Sequence, residues 1–212
     1  MSELTELYQL IARCPDCDLA RTRTQTVPGE GPEDAEIMFI GEAPGFHEDR
    51  TGRPFVGAAG KFLDQLLGLA GLRRDQVYIA NIIKCRPPDN RDPLPGEIHA
   101  CSKWIDRQIE LINPRVIVTL GRHSMNKFFP DASITRIHGQ PRRQGDRLIV
   151  PMFHPAAALH QQRYRSLIEE DFKKLPAILK QAKEQGAQPA APPDPQASGP
   201  APEPRPQQMR LF

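Results

Sequence analysis

Four short apolar runs, rich in β-branched residues, recur along this chain with helical patterns between them. That alternation most narrows what the chain can fold into. The runs are EIMFI (36–40), VYIANII (77–83), RVIVTLG (115–121) and RLIVPMF (147–153). A strand with one wet face alternates apolar and polar residues, so runs this uniform suit strands buried on both faces. Between them, AAGKFLDQLLGLAG and PGEIHACSKWIDRQIELIN repeat apolar residues at helical spacing. RHSMNKFF predicts a short helix, and Leu4, Leu7, Leu10 and Ile11 predict one at the N-terminus. RYRSLIEEDFKKLPAILKQA closes the fold, with Pro176 kinking or splitting it. The pattern predicts a doubly wound α/β domain on a mostly parallel, four-stranded sheet.

In such sheets ligands bind beyond the carboxyl ends of the strands. The first run ends in Gly41-Glu42-Ala43-Pro44-Gly45 and the second carries Asn81 near its end. The third ends in Gly121-Arg122-His123 and the fourth in His154-Pro155. A Gly-rich turn, a carboxylate, an amide and an imidazole are thus expected at one crevice. Up to about Lys180 the apolar runs supply a sizeable core. The net charge of +2 neither demands nor excludes nucleic acid, because binding depends on where charge sits. No apolar stretch approaches the roughly 20 residues of a membrane span. The opening MSELTELYQLIARC is acidic and amphipathic, unlike a signal peptide. A cytoplasmic protein is expected, without structural disulfides.

The four cysteines then read as a metal site. Cys14 and Cys17 form a C-x2-C pair, and fifteen residues separate Cys85 from Cys101. Four thiolates suit tetrahedral zinc or an iron–sulfur cluster, and composition does not choose between them. The ligands come from the N-terminal segment and from the region after the second run. The metal would staple the N-terminus to the Pro-rich loop RPPDNRDPLPGE, a structural role beside a binding surface.

GEAPGFHEDRTGRPFVGAAGKFLDQLL, NIIKCRPPDNRDPLPGEI and HPAAAL closely resemble the family 4 uracil-DNA glycosylases, which carry an iron–sulfur cluster. The resemblance includes all four cysteines at that family's spacing and spans roughly Leu4 to Leu179. It implies the three-layer α/β/α uracil-DNA glycosylase fold over residues 1–182. It also implies cleavage of the N-glycosidic bond of deoxyuridine, leaving an abasic site for base excision repair. The implied cofactor is a 4Fe-4S cluster on Cys14, Cys17, Cys85 and Cys101. The implied partner is uracil-containing DNA, bound by a monomer at the nucleoid.

That chemistry gives each candidate a task. A base inside a duplex must be flipped out to be reached. Phe55, in GRPFVG, resembles the family's stacking residue for the flipped uracil. Uracil presents an acceptor at O4 and a donor at N3, and one amide pairs with both. Asn81, the amide in VYIANII, matches the residue that reads that edge. Bond cleavage leaves uracil anionic, and a donor aimed at its O2 lowers the barrier. His154 of HPAAAL matches this role, and a neutral imidazole suffices. Gly41 and Ala43 lie in the turn whose backbone amides would border the substrate.

Glu42 is the carboxylate expected to orient water or stabilise the cationic sugar, with Asp49 sharing that task or bracing its loop. Better-known uracil glycosylases carry an Asp where this chain has Ala43. The Tyr that excludes thymine's methyl group in those relatives has no counterpart in GEAPGFH. Leu159 resembles the wedge that fills the gap left by the flipped base, and Arg163 and Arg165 follow it to grip DNA. Arg86, Arg91, Arg142, Arg143 and Arg147 are expected as loop arginines able to meet phosphates.

Two rival readings remain at this level. One is a relative that becomes covalently trapped on uracil-DNA through a basic loop ending in Arg-Ile-His after the second strand. Here Arg136-Ile137-His138 follows the third run instead. The other is a non-catalytic, zinc-stapled nucleic-acid-binding module. Beyond the domain, eight of the eighteen residues from Pro189 to Pro206 are proline, so 183–206 reads as a disordered tether. The final residues, 207–212, include Gln208-Met209-Arg210-Leu211-Phe212. They resemble the short peptide that bacterial repair proteins insert into the sliding clamp.

Overall fold

The computed structural model describes residues 1–186. Five strands form its one sheet: β1 (Ile37–Gly41), β2 (Tyr78–Asn81), β3 (Val116–Leu120), β4 (Arg142–Gln144) and β5 (Arg147–Met152). Their order is β2-β1-β3-β5-β4. The four apolar runs are the four parallel strands. β4 is a fifth, antiparallel to β5, so the expected four-stranded sheet is corrected to a mixed sheet of five. β4 has the sequence RRQ with every residue exposed, and so lacks any apolar signature. Gln144 pairs with Arg147, leaving the two-residue hairpin Gly145-Asp146, and Gly145 takes the positive φ of 57° that such a turn requires. Charged residues suit an edge strand, because they discourage pairing with another chain.

Nine helices are present among the described residues. α1 (Glu3–Ala12), α2 (Phe46–Thr51), α3 (Ala58–Leu69) and α4 (Pro95–Ile112) precede β3. α5 (Arg122–Asn126) and α6 (Ile134–Ile137) follow it. α7 (Pro155–His160), α8 (Arg163–Lys173) and α9 (Leu175–Gly186) close the domain. The C-terminal helical pattern breaks at Lys174, just before Pro176, as its ring requires. α9 runs to Gly186, past the expected domain end at 182. Most of the expected tether and the whole of the Gln208–Phe212 peptide lie outside the described residues.

Alternate strand residues feed two cores, making three layers. Ile37 and Phe39 face α3, α8 and α9, where they join Leu63, Leu66, Ile168, Phe172 and Ile178. Met38 and Ile40 face α1 and α4, joining Leu4, Leu7, Ile11, Ile105 and Ile109. All five residues of β1 are buried, which is why its sequence shows no polar alternation. Each such side chain contributes roughly 1.5–3 kcal/mol on leaving water. The carboxyl ends of β1, β2, β3 and β5 emerge along one edge, and the chemistry-bearing residues lie there.

Candidate active site and cysteine cluster

A cleft of about 710 Å³ opens at that edge. Glu42, Ala43, Phe55, Asn81 and His154 line it, as do Phe46, Glu48, Asn90, Asp92 and His160. Gly41 lies directly behind. A Cβ there would stand 2.4 Å from Asn81 Oδ1 and 2.7 Å from Phe55 Cζ, so only glycine lets both side chains reach the cleft. Phe55 itself has a φ of 51°, a left-handed conformation uncommon for a bulky residue. Its loop is held from both sides. Arg74 donates to the carbonyls of Pro54 and Phe55. Glu48 Oε1 accepts from the backbone N–H groups of Val56 and Gly57, each at 2.9 Å. The other Glu48 oxygen accepts from Gly45 N–H at 3.1 Å, so one carboxylate ties the GEAPG turn to the Phe55 loop.

Asn81 is 2% exposed, and its Oδ1 has no hydrogen-bond partner. A buried acceptor left unmatched costs about 1–3 kcal/mol, and a site that spends this awaits a donor. Across the cleft the ring of Phe55 stacks on His154, with centroids 5.5 Å apart and an interplanar angle of 27°. His154 caps α7: its Nδ1 accepts from Ala156 N–H at 3.1 Å. With Nδ1 an acceptor, the proton of the neutral ring resides on Nε2. Burial holds the imidazole's pKa down at about 4, although Glu48 pulls it upward, so the ring is neutral near pH 7.

Glu42 leaves β1 beside His123, with 3.8 Å between Glu42 Oε2 and His123 Nε2. His123 Nε2 also lies 3.2 Å from Asp92 Oδ2, and Arg122 reaches the same carboxylate at 3.4 Å. Burial raises the Glu42 pKa above the ordinary carboxylate value. His123 and Arg122 lower it, and Asp92 raises it. Glu42, Asp92 and His123 have ligand atoms mutually within 4.8 Å. Glu48 and Asp92 carried no sequence signal beyond their types, since their meaning comes from bringing separate segments together, whereas His123 stood in the sequence at the end of the third apolar run. Asp49 is not at the cleft. It is buried on the opposite side of α2, where its Oδ1 accepts from Thr24 N–H at 2.9 Å and braces the N-terminal segment.

The DNA-gripping candidates divide. Leu159 projects from α7 and is 51% exposed. Arg163 is exposed at the start of α8, its guanidinium over the Tyr164 ring at 4.9 Å. Arg165 pairs with Glu169 and lies over Phe62. Arg91 is committed to Glu97. Arg142, Arg143 and Arg147 belong to strands, not loops. Arg147 opens β5, at the strand end away from the cleft, and bonds Asn113 Oδ1 at 2.7 Å. His138 of Arg-Ile-His bonds the buried Asp171 at 2.6 Å and packs on Phe153, outside the cleft lining.

The four cysteines converge on one small cavity, with Ile11, Arg23, Lys84 and Trp104 around it. Two donors point at sulfur: Arg23 Nη1 reaches Cys85 Sγ at 3.2 Å, and Lys84 N–H reaches Cys101 Sγ at 3.3 Å. Burial pushes the Cys101 thiol up to about 11 and raises Cys85 as well, so metal must displace these protons. The set fits an iron–sulfur cluster in ligand type, number and N–H···S support.

A model of the uracil DNA glycosylase superfamily matches residues 28–179. A type-4 uracil-DNA glycosylase of Sulfurisphaera tokodaii is 49% identical over 185 residues, covering 82% of this chain and 84% of that one. Those of Archaeoglobus fulgidus and Thermotoga maritima are 46% and 44% identical, covering 92% and 96% of their own lengths and 82% and 84% of this chain. The α/β/α fold with its strand-end cleft is thus that of the uracil-DNA glycosylase superfamily. Within it, the chain belongs to the type-4 uracil-DNA glycosylases.

Proposed function

We propose that this chain excises uracil from DNA by hydrolysing the N-glycosidic bond of a flipped deoxyuridine. The observation that carries the reading is Asn81: a buried, unpartnered amide oxygen at the cleft floor, framed by Gly41 and Phe55. Oδ1 accepts from uracil N3–H while the amide nitrogen donates to O4. Cytosine, with the opposite polarity at both atoms, leaves Asn81 mismatched. Phe55 stacks on the base. His154 donates its Nε2 proton in a hydrogen bond to O2 as negative charge develops there, and its neutrality avoids protonating the base at the start. Glu42, held by His123, orients water toward the cationic sugar. Leu159 fills the vacated stack and Arg163 meets the backbone. Release of free uracil from a uracil-containing oligonucleotide tests the reading, and no release by the intact, metal-loaded protein refutes it.

Cys14, Cys17, Cys85 and Cys101 hold the 4Fe-4S cluster in this reading. Bound there, the cluster supplies iron–thiolate cross-links between the N-terminal segment and the region after β2. The protein works as a monomer, and the Gln208–Phe212 peptide docks on the sliding clamp. Deleting that peptide abolishes clamp binding and leaves excision from short oligonucleotides intact. Clamp affinity that survives the deletion refutes this part.

A further inference from the structure

Phe46 is large, apolar and 46% exposed, on the wall of the cleft. It opens α2, and Arg50 follows one helical turn later on the same face. The Arg50 guanidinium lies over the Phe46 ring, 5.5 Å from its centroid. Arg86, from the loop after β2, lies over the same ring at 5.2 Å. Asn90, itself a cleft residue, accepts from Arg86 Nε at 2.7 Å. Among the described residues, neither Arg50 nor Arg86 pairs with a carboxylate, whereas Arg53, Arg73, Arg74, Arg91 and Arg107 all do. Two unneutralised guanidiniums are therefore gathered on one aromatic ring, against their mutual repulsion, at the mouth of the cleft.

We infer that Arg50 and Arg86 form a phosphate clamp for the DNA strand that carries the flipped nucleotide, with Phe46 as the positioning residue. This rests on the glycosylase reading above and extends it. Planar guanidiniums match phosphate oxygens through paired N–H groups. A ring beneath them fixes their planes without consuming those donors. The sheet order supplies the geometry. Leu159 and Arg163 follow β5, whereas Phe46 follows β1 and Arg86 follows β2. β3 lies between the two groups, so they flank the cleft from opposite sides. A strand whose nucleotide enters the cleft must leave it in both directions. Arg163 meets one arm, and Arg50 with Arg86 meets the other.

The test is equilibrium binding of the full, cluster-loaded chain to a fluorescent single-stranded oligonucleotide bearing one tetrahydrofuran abasic analogue, across a salt series. Each phosphate contact on a single strand contributes about −0.7 to the slope of log K against log salt. The double variant Arg50→Gln/Arg86→Gln is expected to flatten the slope by about 1.4, and Phe46→Leu to weaken binding at low salt by several-fold. In uracil release the double variant raises KM with little change in kcat. Arg107→Gln, an ion-paired arginine on α4, leaves the slope unchanged. An unaltered slope in the double variant overturns the clamp, as does equal flattening by Arg107→Gln. Wild-type protein that binds with the full slope yet releases no uracil would refute the glycosylase reading and leave the clamp standing. Retained visible absorbance of the cluster shows that each variant is folded.

Discussion

His154 offers the sharpest test, because one residue carries a catalytic and a stability consequence with fixed signs. In the proposed reaction its Nε2–H donates to charge that develops only as the glycosidic bond breaks. Removing one such donor costs about 100- to 1000-fold in kcat, or about 2.7–4 kcal/mol. His154→Ala is expected to fall in that range, with KM little changed. The same burial that keeps the ring neutral makes the fold sensitive to acid. Its pKa is held at about 4 against an ordinary 6.5. The folded state then binds fewer protons than the unfolded chain between those values. Stability is therefore fully present above about pH 6.5 and is lost as pH falls through about 4. The limit is about 3 kcal/mol, since one pKa unit is about 1.4 kcal/mol. His154→Gln, which keeps an amide donor but cannot ionise, flattens that acid limb relative to wild type. Urea denaturation from pH 7.5 to 4.5 reads the difference, and cluster lability cancels because both proteins carry the cluster. Identical acid limbs would refute the buried, neutral imidazole. So would a wild-type kcat falling with a midpoint near 6.5 and restored in the Gln variant.

Three further outcomes follow from the site. Gly41→Ala drives a methyl group into Asn81 and Phe55, so uracil release falls at least tenfold while overpacking costs about 1–3 kcal/mol of stability; full kcat/KM would show that the floor can yield. Asn81→Leu removes both base-pairing groups, costing about 2–4 kcal/mol in kcat/KM, yet it also removes an orphaned buried oxygen, so thermal stability does not fall; a lower Tm would show that Oδ1 is satisfied in the folded protein. Cys101→Ser abolishes the visible absorbance of the cluster. Treating the cluster as a cross-link from Cys17 to Cys85, its loss costs about 4 kcal/mol and lowers Tm by about 8–16 °C; an unchanged melting curve in the colourless variant would deny it a structural role.

Much of this was legible in the sequence because the signals are local. A strand buried on both faces must be apolar throughout, so β1, β2, β3 and β5 announced themselves. The rule that ligands bind beyond strand carboxyl ends then gathered Glu42, Asn81, His123 and His154 before any geometry was known. What stayed hidden depends on contacts distant in sequence or on the absence of a side chain. β4 is three exposed polar residues that exist only because Gly145 turns them back on β5. Glu48 and Asp49 are adjacent, yet one braces the Phe55 loop and the other faces Thr24. A six-residue helix with glycine at both caps separates their directions, and that helix was itself unread.

Lys84 links the end of β2 to the cysteine cavity. Its side chain is 1% exposed, and a buried ammonium is costly unless compensated. Nζ donates back to the carbonyl of Asn81 at 2.8 Å and across to Gln108 Oε1 at 2.6 Å. Gln108 in turn donates to the Tyr78 hydroxyl, which meets that of Tyr8 on α1. The backbone N–H of Lys84 points at Cys101 sulfur, and its carbonyl accepts from Val27 N–H. The three residues between Asn81 and Cys85 are thus fixed from the sheet, from α4 and from the N-terminal segment at once. Burial lowers the Lys84 pKa to about 7, and negative charge at Cys101 and Cys85 raises it, so thiolates holding the proposed cluster there would favour the ammonium. Asn81 and Cys85 are consequently the two ends of one five-residue segment, and in the proposed reading holding the Cys85 thiolate also holds the Asn81 carbonyl through Lys84.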